Sequence, residues 1–550
     1  MFNIKRENEG IQRTLTREEL FTEIIPGTEY MTDVGNLHFK HSGKNVLIPQ
    51  PSSDPNDPLN WNRKWKAAAM LGMAISSFAN GFGPLSIGPQ VPFYMAEWDK
   101  SVDNVLNFTG ICILVLGFSN LVWVPVARLF GRRPALWISM TIGIGSAIWR
   151  ATATSYESFI GACVLSGFAC GPGETFGPIL VADVMFLHER GFYMGLYQWA
   201  YWGGIMIGPI VAGTMSDRYG WRSFWWLNVG ILGFSLVYQI CFLPETKWTR
   251  EAKNLPTTAA FLDAQEKELN QVTEIESTNG NDVPGASQTA HISLASEETL
   301  FGGPNRNQFL PFSKYEKNES LLQALWIPVR VTAFPIVQWA SFVFSWSASC
   351  FLVANLTQSA ALAGPPWNFS AAAVGYTNLA LFGGASFALV TAGPLSDWIS
   401  MRATMRNNGI REPEMRLPTL IPFSAATLLG GLIVSYGYQY GWPWEAVVIL
   451  GYTLLGMQLA ALAATATTYA IDSYKPIAGE FLISATVVKN LWGYGLAKFL
   501  NPWIVKSGYV VPIMVNTALT MFFICLAVPL FFYGKRVRYW SANSKVHSSS

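Results

Sequence analysis

The sequence predicts an all-α membrane protein with twelve transmembrane helices arranged as two six-helix halves. Three observations carry the prediction. Apolar residues make up 51% of the chain and charged residues 13%, about half the charge of an average soluble domain. Twelve runs are apolar over the roughly 20 residues that a membrane helix needs. The two sets of six also repeat a pattern of proline and acid at corresponding helix ends.

Residues 1–66 form a polar N-terminal tail. Roughly sixty polar residues precede the first apolar run, so no cleavable signal peptide is expected and that run itself should target the chain to the membrane. The tail ends in Asp54-Pro55-Asn56-Asp57-Pro58-Leu59-Asn60-Trp61-Asn62-Arg63-Lys64-Trp65. Asp-Pro steps read as turns, and Trp with Lys and Arg before an apolar run reads as an interfacial anchor.

The first six runs lie near 67–94, 104–126, 134–153, 157–183, 192–214 and 221–243, giving an N-terminal half over 67–243. The second six lie near 327–353, 371–394, 418–437, 444–470, 481–503 and 509–533, giving a C-terminal half over 327–533. Residues 244–326 between them are too polar to bury a core and read as a mostly disordered linker. Residues 534–550 form a short C-terminal tail.

Lys and Arg near helix ends set orientation. With the N-terminus inside, fifteen fall on the inner flanks, among them Arg63, Lys64, Arg128, Arg190, Arg402 and Lys535. Five fall on the outer flanks: Lys100, Arg150, Arg218, Arg222 and Lys506. Both termini are therefore expected in the cytoplasm. Asn107, Asn355 and Asn368 open N-x-S/T sequons on or near the outer side, and only Asn368 is far enough from a helix to be expected to carry a glycan.

The repeat is specific. Val124-Pro125-Val126-Ala127-Arg128-Leu129 ends the second run, and Gly393-Pro394-Leu395-Ser396-Asp397-Trp398 ends the eighth. Pro125 to Pro394 and Arg128 to Asp397 keep one offset, 269 positions. Asp183 and Asp472 end the fourth and tenth runs at an offset of 289, and a longer loop between the eighth and ninth runs takes up the difference. Two such halves related by an axis along the membrane normal are a known transporter arrangement.

In the fifth run, Gly204-Ile-Met-Ile-Gly208-Pro209-Ile-Val-Ala-Gly213 puts a proline and three glycines close together. Lipid-embedded helices tolerate this because neighbours re-satisfy the backbone, and Gly204 and Gly208 share one smooth face. The glycines alone fit a plain packing motif equally well. As a whole the pattern resembles the helix-5 motif of the drug:proton antiporters of the major facilitator superfamily. Asp54 to Trp65 likewise resembles the lead-in of fungal members, Gly393-Pro-Leu-Ser-Asp397 the superfamily's loop motif, and Gly171-Pro172-Gly173-Glu174-Thr175 a fungal subgroup with an acid in helix 4. Pro244-Glu245-Thr246 points the same way. The resemblance implies the major facilitator fold, with Gly204, Gly208, Pro209 and Gly213 sealing one half against the other. Gly131-Arg132-Arg133-Pro134 keeps the loop 2–3 motif, but Arg128-Leu129 stands where the family has Asp-Arg. Asp183 can still serve Arg132 or Arg133 as a latch, with Asp397 and Asp472 as the counterparts in the second half. A solvated loop that only fixes topology remains the alternative.

An ionisable group inside a membrane helix costs at least about 2.5–3.5 kcal/mol, which makes each one a functional candidate. Glu174 lies near the middle of helix 4, where apolar surroundings favour the neutral form that a proton carrier needs. It is the first candidate for proton coupling, with Asp183 and Lys489 behind it, and a purely structural acid is the alternative. Lys489 fits a carboxylate partner, an anionic cargo or a fixed counter-ion. On the helices that line the cavity in the family's architecture, the candidates are Asn80, Gln198, Trp202, Trp339, Trp346, Asn355, Tyr376, Asn378, Gln458, Tyr469 and Asn490. An aromatic, amphipathic cavity suits partly apolar organic molecules.

Nothing competes with transport. There is no Walker loop, no Ser/His/Asp set and no metal spacing, the six cysteines sit in apolar runs as small fillers, and a net charge of +2 suggests no nucleic-acid partner. The expectation is a monomer in the plasma membrane that needs no cofactor and moves small organic molecules outward in exchange for protons. The cargo would be a xenobiotic, a secondary metabolite or a polyamine-like compound. A proton-coupled importer or facilitator of a small metabolite such as an organic acid or vitamin is the alternative, and a non-transporting sensor is a third.

Overall fold

The computed structural model describes residues 29–30, 41–42, 45–46, 52, 54–248, 302–310, 329–407, 410–474 and 478–542. Each predicted run overlaps a helix among the described residues. We number these α1 (Arg63–Phe82), α2 (Val102–Phe130), α3 (Arg132–Thr152), α4 (Tyr156–Val184), α5 (Leu187–Tyr219) and α6 (Trp221–Phe242) in the first half. In the second half they are α7 (Pro335–Leu362), α8 (Ala371–Arg406), α9 (Leu420–Tyr440), α10 (Glu445–Ser473), α11 (Ala478–Ser507) and α12 (Val510–Cys525). Seven spans are long and apolar enough to cross a membrane on composition alone: α2, α6, α7, α8, α10, α9 with the turn before it (Pro413–Tyr440), and α12 with the helix that follows it (Val510–Trp540). The other five carry more polar residues, among them Asn80, Arg150, Glu174 and Lys489.

Local chemistry sets the ends. The Asn62 carboxamide accepts from the Lys64 and Trp65 amides and caps α1, and Ser155 caps α4 by accepting from Ser158. Gly131 alone separates α2 from α3 at φ 109°, and Gly220 alone separates α5 from α6 at φ 81°, angles that favour glycine. Helix α1 stops at Phe82, short of the predicted 94, because Gly83 and Pro84 follow; the chain resumes as a short helix, Val91–Trp98. Helix α7 begins at Pro335 rather than 327, since proline suits a first helical turn. Helix α10 opens with a π-helical stretch, Glu445–Tyr452.

One cluster of buried apolar side chains runs through both halves. We call the face bearing Arg132, Asp183, Asp397 and Asp472 the basic face. Contacts between the halves run from the opposite face to mid-depth along two seams. Along α2 and α11, Asn501 donates to Asp103 (2.7 Å), and Gly110 and Gly117 pack on Ala497 and Asn490. Along α5 and α8, the Ala372 N–H donates to Asp217 (2.8 Å) and the Trp199 indole to Ser386 (3.0 Å).

The helix-5 motif divides its work. A Cβ at Gly204 or Gly208 would stand 2.3 or 2.2 Å from the carbonyl oxygens of Phe78 or Phe82, both on α1 of the same half. Only at Gly213 does the close approach cross between halves, with the Ala371 oxygen of α8 at 2.3 Å from such a Cβ. The expected seal is thus mainly an intra-half weld that ends in one inter-half contact.

Parts of the predicted linker are ordered. Glu245 donates its N–H to the Gln308 carbonyl (2.8 Å), and Gln308 reaches the Asn56 carbonyl (3.0 Å). Gly302 pairs with Asn60 and Asn62 through the backbone, so the Asp-Pro-x-Asn lead-in forms a docking site for 302–310. The remainder of the linker, 249–301 and 311–326, lies outside the described residues. Among the two-residue strands, Glu29–Tyr30 pairs antiparallel with Ile410–Arg411.

Candidate functional site

A cavity lies at mid-depth between the halves, where both seams end. Asn80 of α1, Ile113 and Leu116 of α2, Tyr201, Trp202 and Ile205 of α5, Ser345, Ser349, Phe351 and Leu352 of α7, and Lys489, Asn490 and Gly493 of α11 line it. The wall is mostly apolar with a few convergent polar groups, the character of a small-molecule site.

Beside it stands the ion pair that the sequence could only suggest. The Lys489 ammonium donates to the Glu174 carboxylate, and the Asn490 amide lies 3.4 Å from its second oxygen. Both charged side chains are nearly buried, 10% and 6% exposed, so each depends on the other for compensation. Lys489 also lies 5.4 Å from the centre of the Phe344 ring. The Tyr197 hydroxyl donates to the Glu174 backbone carbonyl and helps fix that turn of α4. Glu174 is therefore not alone in an apolar wall but paired with a cation from the other half.

Of the other cavity candidates, Asn80, Trp202 and Asn490 line this cavity and the rest do not. Trp346 packs on Trp492 at 4.4 Å, Trp339 donates to the Phe523 carbonyl (2.9 Å) and meets Tyr469 edge-on, and Gln458 pairs with Ser347. These tie α7 to α10, α11 and α12 inside one half. Asn355 and Asn378 are buried near Gln358, toward the opposite face. Tyr376 is exposed, its hydroxyl 3.4 Å from Thr214, and Gln198 is half-buried on α5. Residue type identified polar sites on the right helices but not their depth.

The basic face carries the expected latch partners. Arg132 pairs with Asp183 (3.1 Å). Arg416 bridges Asp397 (3.1 Å) and Asp472 (3.0 Å), the positions related by the internal repeat. Arg133 instead turns inward, 2% exposed, and donates to the Phe309 and Ile240 carbonyls. Where Arg128 replaces the family's acid, Glu245 supplies a carboxylate: it accepts from the Arg132 and Arg133 N–H groups (3.0 Å each) at the start of α3, where the helix dipole favours an anion. Sequence reasoning flagged Pro244-Glu245-Thr246 only as a motif.

It missed the counterpart in the second half. There Glu414, in the loop before α9, is gripped by Arg538 through two 2.8 Å bonds, with Arg538 fully buried. The first half thus sets the arginines at the start of α3 beside an acid that follows α6, and the second sets an acid before α9 beside an arginine that follows α12. Arg150, counted as an outer-flank charge, is in fact buried, with its guanidinium 4.5 Å from the Trp225 ring centre and 3.7 Å from Cys112 Sγ. Asn368 is exposed in the loop between α7 and α8, while Asn355 is buried within α7.

Comparison with known proteins agrees with this architecture. A family profile described as Major Facilitator Superfamily matches residues 70–497. Protein HOL1 of Saccharomyces cerevisiae is 28% identical over 570 residues, covering 94% of this chain and 96% of its own. An MFS-type transporter of Schizosaccharomyces pombe, C1271.10c, is 24% identical, over 95% and 94%. Efflux pump radE of Floropilus chiversii is 24% identical, over 96% and 92%. The chain belongs to the Major Facilitator Superfamily, as a multi-pass membrane transporter whose relatives are fungal.

Proposed function

We propose that the protein exports small, partly apolar organic molecules in exchange for protons by alternating access. The observation that carries this reading is the Glu174–Lys489 pair, which joins the two halves beside the cavity. A proton arriving on Glu174 cancels the carboxylate charge and leaves Lys489 without its partner. The tie between α4 and α11 then weakens, and the balance between the two access states shifts. The basic face is the cytoplasmic one in this reading, with both termini inside, and the protein acts as a monomer in the plasma membrane. Outward direction is supported by the helix-5 motif and by a relative named as an efflux pump.

Glu174→Gln tests the coupling. Cargo movement should lose its dependence on a pH gradient while the protein still reaches the membrane. Unchanged pH dependence would move the proton to Asp183 or elsewhere. Direction is tested in pump-deficient yeast expressing the chain, by accumulation of a panel of toxic organic compounds with and without an uncoupler. Lower accumulation that the uncoupler abolishes is expected. Higher accumulation would reverse the direction and favour the importer of a small metabolite.

A further inference from the structure

Two neutral donors on the cavity wall are left unused by the protein itself. Tyr201 and Trp202, successive residues of α5, both line the cavity and are only 6% and 5% exposed. Among the described residues neither the Tyr201 hydroxyl nor the Trp202 indole N–H has a hydrogen-bond partner, and neither atom is closed off from water-sized space. For residues this buried, that space is the cavity they line. The wall's other donors are committed or closed off. Ser345 and Ser349 donate back to carbonyls one turn earlier on α7 (2.6 and 2.9 Å). Lys489 and the Asn490 amide are directed at Glu174, and both amide atoms of Asn80 are sealed. The wall also carries no uncompensated charge. Lys489 is the ionisable cation among its lining residues, and it is paired with Glu174. The site is neutral while that pair is intact and positive once Glu174 takes a proton.

From this arrangement we infer that Trp202 is a specificity residue that donates its indole N–H to an acceptor oxygen on an uncharged cargo, the carbonyl of a ketone, ester, lactone or amide. The inference rests on the reading that this cavity takes cargo. An indole N–H can only donate, whereas the Tyr201 phenol beside it serves either way. Water in the cavity meets both groups. A cargo that displaces this water without bringing an acceptor forfeits those bonds and loses affinity. A cationic cargo finds no free anion in either protonation state of Glu174, and a buried charge without a partner is unfavourable. Trp202 meets Tyr201 and Phe351 at steep interplanar angles, with ring centres 5.5 and 6.0 Å apart. That aromatic corner gives the apolar body of such a molecule a place beside the donor. The cargo is thereby narrowed away from polyamine-like compounds.

The test is ligand-observed fluorine NMR on the full chain in phosphatidylcholine nanodiscs, with empty nanodiscs as the blank and no pH gradient. The probes are 1-(4-fluorobenzyl)pyrrolidin-2-one and 1-(4-fluorobenzyl)pyrrolidine, one skeleton carrying a carbonyl in the first and a protonated amine in the second. The wild-type protein should bind the lactam about tenfold more tightly than the amine. Trp202→Phe keeps an aromatic ring and removes the N–H, and it should abolish most of that preference by weakening the lactam alone. Equal affinities, a preference for the amine, or a lactam affinity unchanged by Trp202→Phe would each overturn the inference and leave the cavity reading standing. Binding of neither compound would overturn both. The wild-type comparison decides the matter even if the variant does not fold. Because no gradient is applied, a failure of proton coupling or a reversed direction of transport leaves the expected preference intact.

Discussion

Lys489 on α11 is held by Glu174 on α4, so one nearly buried ion pair spans the two halves at mid-depth. Removing one member of such a pair leaves an uncompensated buried charge, a loss of about 3–5 kcal/mol, whereas replacing both members is far milder. Lys489→Met should therefore lower the melting temperature of the purified protein markedly, and Lys489→Met with Glu174→Gln should recover most of the loss. Additive effects in that double-mutant cycle would show that the two charges are not coupled.

The divided helix-5 motif predicts two kinds of glycine mutant. Gly208→Ala forces a Cβ against the Phe82 carbonyl within the first half and should destabilise the fold by about 1–3 kcal/mol, seen as poor expression and a lower melting temperature. Gly213→Ala meets the backbone of α8 instead. It should express well but hold the opposite face open, exposing a cysteine placed at Ser349 to impermeant alkylating reagent from that side. Equal stability losses in both would refute the division.

Asp217 accepts the Ala372 N–H at the start of α8 across the halves (2.8 Å). A capping side chain is worth about 1 kcal/mol, enough to change a two-state population several-fold. Asp217→Ala should raise labelling of the same Ser349→Cys reporter from the opposite face without lowering the melting temperature much. Labelling equal to that of the parent would place the stabilisation elsewhere.

Glu97, in the connector after α1, gives a pH prediction. Burial pushes its carboxyl up, but Arg222 and the Trp221 indole outweigh that and hold it below its ordinary value of 4.5. Its pairing with Arg222 (2.6 Å) is part-exposed, so the contribution is under about 1 kcal/mol. A depressed folded-state value means that this stability is fully present above the ordinary value and fades as pH falls through the lower one. Wild type should therefore melt slightly above Glu97→Gln at pH 6, and the two curves should converge in strong acid. A gap independent of pH would mean that the mutation acts through packing.

Membrane insertion made most of this fold legible in the sequence. Runs of about 20 apolar residues can satisfy their backbone in lipid only as helices, and each predicted run overlaps a helix, seven of them in spans long and apolar enough to cross a membrane. Prolines account for two misplaced ends, at Pro84 and Pro335, while α8 runs on to Arg406 past the predicted 394 and α12 stops at Cys525 short of 533. The charged candidates Glu174 and Lys489 stood out because ionisable residues are rare in such runs. Their pairing did not, since 315 positions separate them and only the packing of α4 near α11 brings them together. Amides such as Asn355 and Asn378 looked like cavity residues by type. Depth along a helix and the direction a side chain faces are properties of the assembled bundle.

That α8 receives its first-turn cap from a residue 155 positions earlier has a consequence for how the chain is made. Ribosomal synthesis delivers Asp217 and the Gly213 notch well before Ala371 and Ala372 emerge, and segments generally settle in that order. The first half can then act as a mould on which the second is seated, and birth order is part of the design. Expressed as two separate polypeptides, the N-terminal portion should persist without the C-terminal one, while the C-terminal portion should need its companion to escape degradation.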